Sequence, residues 1–335
     1  MVLTVLLVIT VHNRPFEIEN LLDSLSCLCL SNLVLDAVLV DDASSPPLRL
    51  ARQSYPPLRQ VILLRSKSNR GPGFCRNWGA CALSSEYLWF LDSDTEIINP
   101  SCLDAMVAAL NDDSSVGAVG GIIENWRGGR CLLELEIAPN YIFLCRPCDA
   151  EKTPVKDVDG VATANMVIRR QDFNTVGGFM EGWPCYEDND ICLSLRGRGF
   201  RILQGAETAV LHCLSHSGRT TGAFAHFTDP WRYANDIMET RQELIIRHSP
   251  RWSPIWPVLD LGCVPFLILG IKRGQYITKR FEMAVPFSSV GRMIPFLIRK
   301  YLWCYWHGLG AGVRAWLSKT NATRGMLYAQ KHTNS

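Results

Sequence analysis

YLWFLDSDTEI, residues 87–97, is a run of large apolar residues that stops at two aspartates one residue apart. Such a run, cut off by polar residues, reads as a buried strand whose end opens into a site, because open α/β sheets bind ligands beyond the carboxyl ends of their strands. The end here is Asp92-Ser93-Asp94. Side chains at i and i+2 of an extended chain point the same way, so the two carboxylates are expected to converge. Like charges held that close repel unless a cation lies between them. A hard divalent ion with oxygen ligands, Mg2+ or Mn2+, answers that need and also holds phosphates. A bare Asp-x-Asp also occurs as a capped turn, with Asp94 as N-cap of a helix beginning near Pro100. The motifs around it favour the metal.

Upstream, residues 2–10 are apolar and β-branched throughout, as in a strand covered on both faces, and read better so than as a signal peptide, since a basic start and a cleavage site are lacking. His12-Asn13-Arg14-Pro15 breaks this strand, and Ile18, Leu21, Leu22 and Leu25 then follow at helical spacing. Residues 34–40 form a second strand ending at Asp41-Asp42, and residues 61–64 a third, followed by a glycine-bearing loop at 69–73 and a helix carrying Arg76, Asn77 and Trp78. With residues 87–91, strand and helix are expected to alternate four times. That pattern is a mostly parallel, Rossmann-like sheet flanked by helices. Downstream, strands are expected at 116–123, near 161–170 and at 209–211, the last ending at His212.

Of 335 residues, 47% are hydrophobic and 20% charged, which excludes a disordered chain. The net charge of +2 hides an asymmetry: from Arg241 onward there are 14 Lys+Arg against 3 Asp+Glu, which leaves 20 against 29 in the first 240 residues. Thirteen irregularly spaced cysteines make no disulfide framework and are expected to be reduced and mostly buried, in a cytoplasmic protein. Cys145 and Cys148 form a single CxxC without the second pair a zinc ribbon requires, and the Asn321 sequon carries no information by itself.

Five segments in order resemble the family-2 glycosyltransferases, inverting nucleotide-sugar enzymes of GT-A fold: VITVHNRP at 8–15, VLVDDAS at 38–44, NRGPGFCRNWGA at 69–80, FLDSDTEI at 90–97 and VGGFMEGWPCYEDNDICLSLRGRGFRI at 176–202. The resemblance covers about residues 2–217. Cys75 stands where the family usually has alanine. The resemblance implies that Asp42 accepts a hydrogen bond from a pyrimidine-type base, with Asp41 either sharing that role or capping the turn. Thr10, His12, Asn13, Arg14, Gly71 and Ser93 would line the donor site. Arg76 would meet the donor's phosphates or base, or else bridge to a core aspartate. Asp94 would be the principal metal ligand, Asp92 would touch the ribose or support the ion, and His212, in competition with His216, would be a further ligand. Trp183 and Tyr186 fall on the acceptor side. Asp188 is the general base by resemblance and Glu187 the fallback, while Asp190 suits the helix N-terminus.

The chain accordingly divides into a catalytic domain at 1–228, with a nucleotide-binding half (1–115) and an acceptor-side half (116–228), and a helical, basic, apolar region at 229–335. A helix is expected at 231–248. Residues 286–306 mix Arg292, Arg299 and Lys300 with Tyr301, Trp303, Tyr305 and Trp306, which suits a helix lying in a membrane surface, or else an ordinary helix closing the fold or a dimer. Residues 255–271 are apolar but short for a span. The partners expected are a nucleotide-sugar donor, with UDP or dTDP favoured, a glycan or lipid-linked acceptor, and a membrane surface on its cytosolic face, with no nucleic acid. No Q-x-x-R-W motif appears at 242–246, which favours non-processive transfer. A sugar-1-phosphate nucleotidyltransferase would need a glycine-rich N-terminal loop, and residues 8–15 contain no glycine. A degenerate sugar-binding protein would have lost Asp92, Asp94 or Asp188, and all three are present.

Overall fold

The computed structural model describes residues 2–125, 155–205 and 210–213, the backbone of short strands at 130–131, 134–137 and 143–146, and residues 240, 243, 244, 247 and 248. In chain order the strands are β1 (Leu3–Val11), β2 (Leu33–Asp41), β3 (Val61–Arg65), β4 (Tyr87–Asp92), β5 (Thr95–Ile97), β6 (Val116–Gly120), β7 (Ile123–Asn125), β8 (Arg130–Cys131), β9 (Glu134–Ile137), β10 (Phe143–Arg146), β11 (Lys156–Val158), β12 (Asn165–Arg169), β13 (Arg201–Gln204) and β14 (Val210–His212). The helices are α1 (Pro15–Ser24), α2 (Pro72–Ala82), α3 (Cys102–Asp112), α4 (Arg170–Val176) and α5 (Glu187–Arg196).

Eight strands form the central sheet in the order β11-β13-β6-β12-β4-β1-β2-β3. The period of two along each strand divides its side chains between two cores. Val5, Leu7 and Ile9 of β1 and Trp89 and Leu91 of β4 face α1 and α3, whose Ile18, Leu21, Met106 and Leu110 cover them. Leu6, Val8, Leu88 and Phe90 face the other way, onto Phe74 of α2, Phe173 of α4 and Ile191 and Leu195 of α5. Both faces are therefore dry, which explains why β1, β2 and β4 have no polar alternation in the sequence.

Three sequence expectations need correction. No helix joins β2 to β3: prolines at 46, 47, 56 and 57 occupy that connection, and each removes a helical hydrogen bond donor. The strand expected over 116–123 ends at Gly120 and resumes as β7 in a second sheet, with β5, β8 and β14. The central sheet is mostly parallel, with β12 inserted antiparallel between β4 and β6, and β11 antiparallel to β13 at the edge. Cysteines at 75, 102, 185 and 192 are buried, but Cys27, Cys29 and Cys81 are exposed, so the expectation of mostly buried thiols holds for only part of the set.

A close approach joins the two halves. A Cβ on Gly73, at the start of α2, would lie 2.1 Å from the Met180 carbonyl oxygen, so only glycine lets the helix meet the 178–181 loop. One turn on, Asn77 receives the Phe179 N–H on Oδ1 (2.9 Å) and donates from Nδ2 to the Phe179 carbonyl (2.9 Å), as a strand neighbour would. These contacts hold α2 directly against the 178–181 loop.

Among the described residues no helix is long and apolar enough to cross a membrane. The segments at 255–271 and 286–306, Cys148, His216 and the Asn321 sequon lie outside the described residues. Within the helix expected at 231–248, the described residues are helical.

Candidate active site

The carboxyl ends of β1, β2 and β4 lie side by side, with Thr10 in register with both Val40 and Asp92. The loops leaving β1 and β2 are stapled together. His12 Nδ1 lies 2.7 Å from the Asp42 carbonyl oxygen. Asn13 N–H donates to Ser44 Oγ (2.9 Å), and Ser45 N–H donates to Asn13 Oδ1 (2.7 Å). Asn13 sits at φ +53°, a left-handed conformation that asparagine tolerates better than most residues.

The two aspartates after β2 do different work. Asp41 accepts from Ser44 N–H, Leu48 N–H and Arg65. Burial opposes its charge, but these hydrogen bonds outweigh burial and hold the carboxyl below the usual range. Of the two roles the sequence left open, Asp41 therefore has the turn cap. Asp42 is also buried, and its two oxygens receive Arg70 N–H (2.7 Å) and Gly71 N–H (2.9 Å). It thereby fixes the loop that opens α2, where Gly71 at φ +82° is the N-cap. Each carboxylate oxygen has a second lone-pair site, so an outside donor can share it. Beside it the Cys75 thiol is pushed well above its ordinary value, first by burial and then by the charge of Asp42.

Asp92, Asp94 and His212 each bring one ligand atom into a group whose atoms all lie within 4.8 Å of one another. The convergence has a different cause from the one the sequence suggested: β4 ends at Asp92, and a turn closed by Thr95 Oγ1 on the Asp92 carbonyl (2.8 Å) brings Asp94 round. Asp94 does not cap α3, which begins at Cys102 after Ser101. His212 arrives on β14, which pairs with β5 and sets His212 opposite Thr95. Its Nε2 lies 3.3 Å from Asp94 Oδ1 and 3.9 Å from Asp92 Oδ2. Ligands about 2.1 Å from an ion and at right angles stand about 3 Å apart, so these residues fit a small octahedral cation. Arg14 also reaches this place, donating from Nη1 to Asp94 Oδ1 (2.8 Å) and to Ser93 Oγ (3.2 Å).

Arg76 joins this group to the start of α5. The guanidinium is buried and donates from Nη2 to Asp92 Oδ1 (3.0 Å) and from Nη1 to Glu187 Oε1 (2.7 Å). Burial works against the charge, but Glu187 and then Asp92 raise its pKa above the ordinary value. The bridge to an aspartate, one of the two readings weighed for Arg76, is thus present, and its second partner comes from 111 residues further along. Arg76→Met should destabilise the fold by about 3–5 kcal/mol, because it leaves two carboxylates without their buried cation. A urea midpoint unchanged from wild type would mean that solvent reaches both groups.

Glu187 and Asp188 open α5, and Tyr186 before them is its N-cap at φ +66°. A non-glycine residue held in that region points to a backbone fixed by its surroundings. Among the described residues no cation bonds directly to the Asp188 carboxylate, though the Arg76 charge reaches it; its Oδ1 receives Asn189 N–H (2.8 Å). Burial, and next the neighbouring Glu187 carboxylate, push its carboxyl up to about 7. Asp190 does more than favour the helix end: fully buried, its Oδ1 meets Arg247 Nε at 2.9 Å and His248 Nε2 at 2.7 Å. Trp183 Nε1 donates to Glu243 Oε2 (2.6 Å), and Leu244 is fully buried. Glu243, Arg247 and His248, assigned from sequence to the C-terminal region, therefore brace the segment that carries Trp183 and Asp190. No local signal marks these partners, which lie 57 to 60 residues away in the chain.

Residues 6–156 match the sequence profile described as Glycosyl transferase family 2. The chain is 28% identical over 230 residues to the O-antigen biosynthesis protein RfbC of Myxococcus xanthus, covering 64% of this chain but only 17% of RfbC. It is 22% identical over 239 residues to the O-antigen chain rhamnosyltransferase WbaN of Salmonella anatum, covering 65% of this chain and 73% of WbaN. Among solved structures, GalNAc-T7 with UDP, GalNAc and Mn2+ superposes with a TM-score of 0.55 at 16% identity, over 73% of this chain and 48% of that one. The strand order, the ordered motifs and these likenesses agree: the fold is GT-A, and residues 6–156 of the chain match the model of glycosyl transferase family 2.

Proposed function

We propose that the chain transfers a sugar from a nucleotide-sugar donor to a hydroxyl of a glycan or lipid-linked acceptor, with inversion and with a divalent ion at Asp92, Asp94 and His212. The observation that carries the reading is the path Asp92–Arg76–Glu187, which sets a cation-binding group beside a carboxyl, Asp188, poised near neutral pH. The bound ion would supply charge neutralisation for the departing diphosphate. The residues of the chain do the rest. Asp42 and the loop it fixes would meet the nucleotide base. Arg76 acts as a positioning residue: it occupies Glu187, so that Asp188 is the carboxyl left to take the acceptor's proton. Trp183 and Tyr186, on the segment that leads into Asp188, would meet the acceptor.

A UDP- or dTDP-sugar is the favoured donor, and polysaccharide synthesis of the kind named for RfbC and WbaN is the favoured setting. The basic, aromatic C-terminal region is assigned to a membrane surface on the strength of its sequence alone. Any truncation that tests this must begin beyond His248, since Glu243, Arg247 and His248 hold the segment with Trp183 and Asp190.

The test is a thermal-shift screen of nucleotide sugars, with and without Mn2+. A ligand present at 100 times its Kd adds about 2.7 kcal/mol of stability, so the true donor should raise Tm by several degrees with Mn2+ and little without it. No nucleotide sugar raising Tm under either condition would remove the proposal.

A further inference from the structure

Arg14 stands on the same oxygen that an ion would take. Asp94 Oδ1 lies 2.8 Å from Arg14 Nη1 and 3.3 Å from His212 Nε2, and the Asp94 side chain is 1% exposed. Arg14 itself is 12% exposed, so this pair is poorly screened by water. Asp92 is matched in the same way by Arg76. Each carboxylate of the Asp-x-Asp pair therefore already has a guanidinium. Charge attraction alone then gives a divalent ion little reason to enter.

The two arginines differ in freedom. Arg76 lies on α2 and is locked between Asp92 and Glu187. Arg14 lies in the short turn between β1 and α1, immediately before the proline that starts the helix. An arginine side chain turns about four single bonds, so a change of rotamer can carry the guanidinium off Asp94 Oδ1 with the Arg14 backbone in place. The place it would leave for is the mouth of the same site, where a donor diphosphate would bring negative oxygens.

Resting on the proposed metal and donor reading, we infer that Arg14 is the residue that makes ion and donor bind together: it competes with the ion for Asp94 Oδ1 and exchanges that oxygen for the donor's diphosphate. A lone ion must displace Arg14 and leave the site with excess positive charge. A lone diphosphate finds Arg14 already committed. Together they replace one charge match with another, which is a positive coupling between two ligands.

The test is Mn2+ binding to the full chain with no nucleotide, followed by electron paramagnetic resonance of the free ion. Arg14→Gln should bind Mn2+ about 10-fold more tightly than wild type, the equivalent of ~1.4 kcal/mol. Arg14→Lys, which keeps the charge, should stay near wild type and guards against a folding artefact in the glutamine variant. Asp94→Asn should lose Mn2+ binding in both backgrounds. Equal or weaker Mn2+ binding by Arg14→Gln, with binding still dependent on Asp94, would overturn the competition and leave the metal site standing. Absence of Mn2+ binding in folded wild type, Arg14→Gln and Arg14→Lys alike would overturn the metal site and this inference with it.

Discussion

Asp188→Asn should bind donor and Mn2+ as wild type does and transfer sugar about 100-fold more slowly or worse, the scale of general-base catalysis. The substitution keeps the shape and the Asn189 N–H contact while removing basicity. The pH dependence gives an independent check. The base must be ionised to act, and its carboxyl is pushed up to about 7 by burial and by Glu187, so kcat/KM of wild type should fall as pH drops through about 7. Asp188→Asn should lose that limb. Glu187→Gln should keep it but move it to lower pH, because removing the neighbouring negative charge makes Asp188 easier to ionise. Near-normal transfer by Asp188→Asn, or a rate lost at every pH in Glu187→Gln, would move the base to Glu187. The product should carry the inverted anomeric configuration, since one base and one displacement leave no covalent intermediate. Retention would remove the single-displacement mechanism.

Asp94→Asn should be at least as damaging to transfer, by about 100- to 1,000-fold, but it should fail at a different stage. Stabilisation of the leaving group by a bound ion amounts to several kcal/mol, and Asp94 is the buried member of the pair, 1% exposed against 28% for Asp92. Donor affinity in Mn2+ should fall with it, and the affinity that remains should no longer respond to EDTA. Calorimetric titration of donor into wild type and variant, each with Mn2+ and with EDTA, separates the cases. Donor affinity that is the same in all four titrations would mean that the diphosphate is held by arginines alone, and the assignment of a metal here would fall.

The sequence by itself determined most of the nucleotide side. The apolar runs of β1, β2 and β4 needed no tertiary information because both faces of the sheet are dry, and the polar residues after each run marked the ends where the site lies. The five ordered motifs named Asp42, Asp92, Asp94, Glu187 and Asp188 before any geometry was available. Tertiary structure alone decided how these groups share charge. Arg76 could be placed near an aspartate from its motif, but its bond to Glu187 spans 111 residues and exists only because Gly73 and Asn77 bring α2 against the 178–181 loop. Likewise Arg14 reaches Asp94 across 80 residues because the carboxyl ends of β1 and β4 are adjacent. The antiparallel insertion of β12, the turn that brings Asp94 round, and the bracing of Asp190 by Arg247 and His248 were unreadable for the same reason. Local pattern records which face of an element is dry, whereas the partner of a buried charge is chosen by whatever the fold places opposite it.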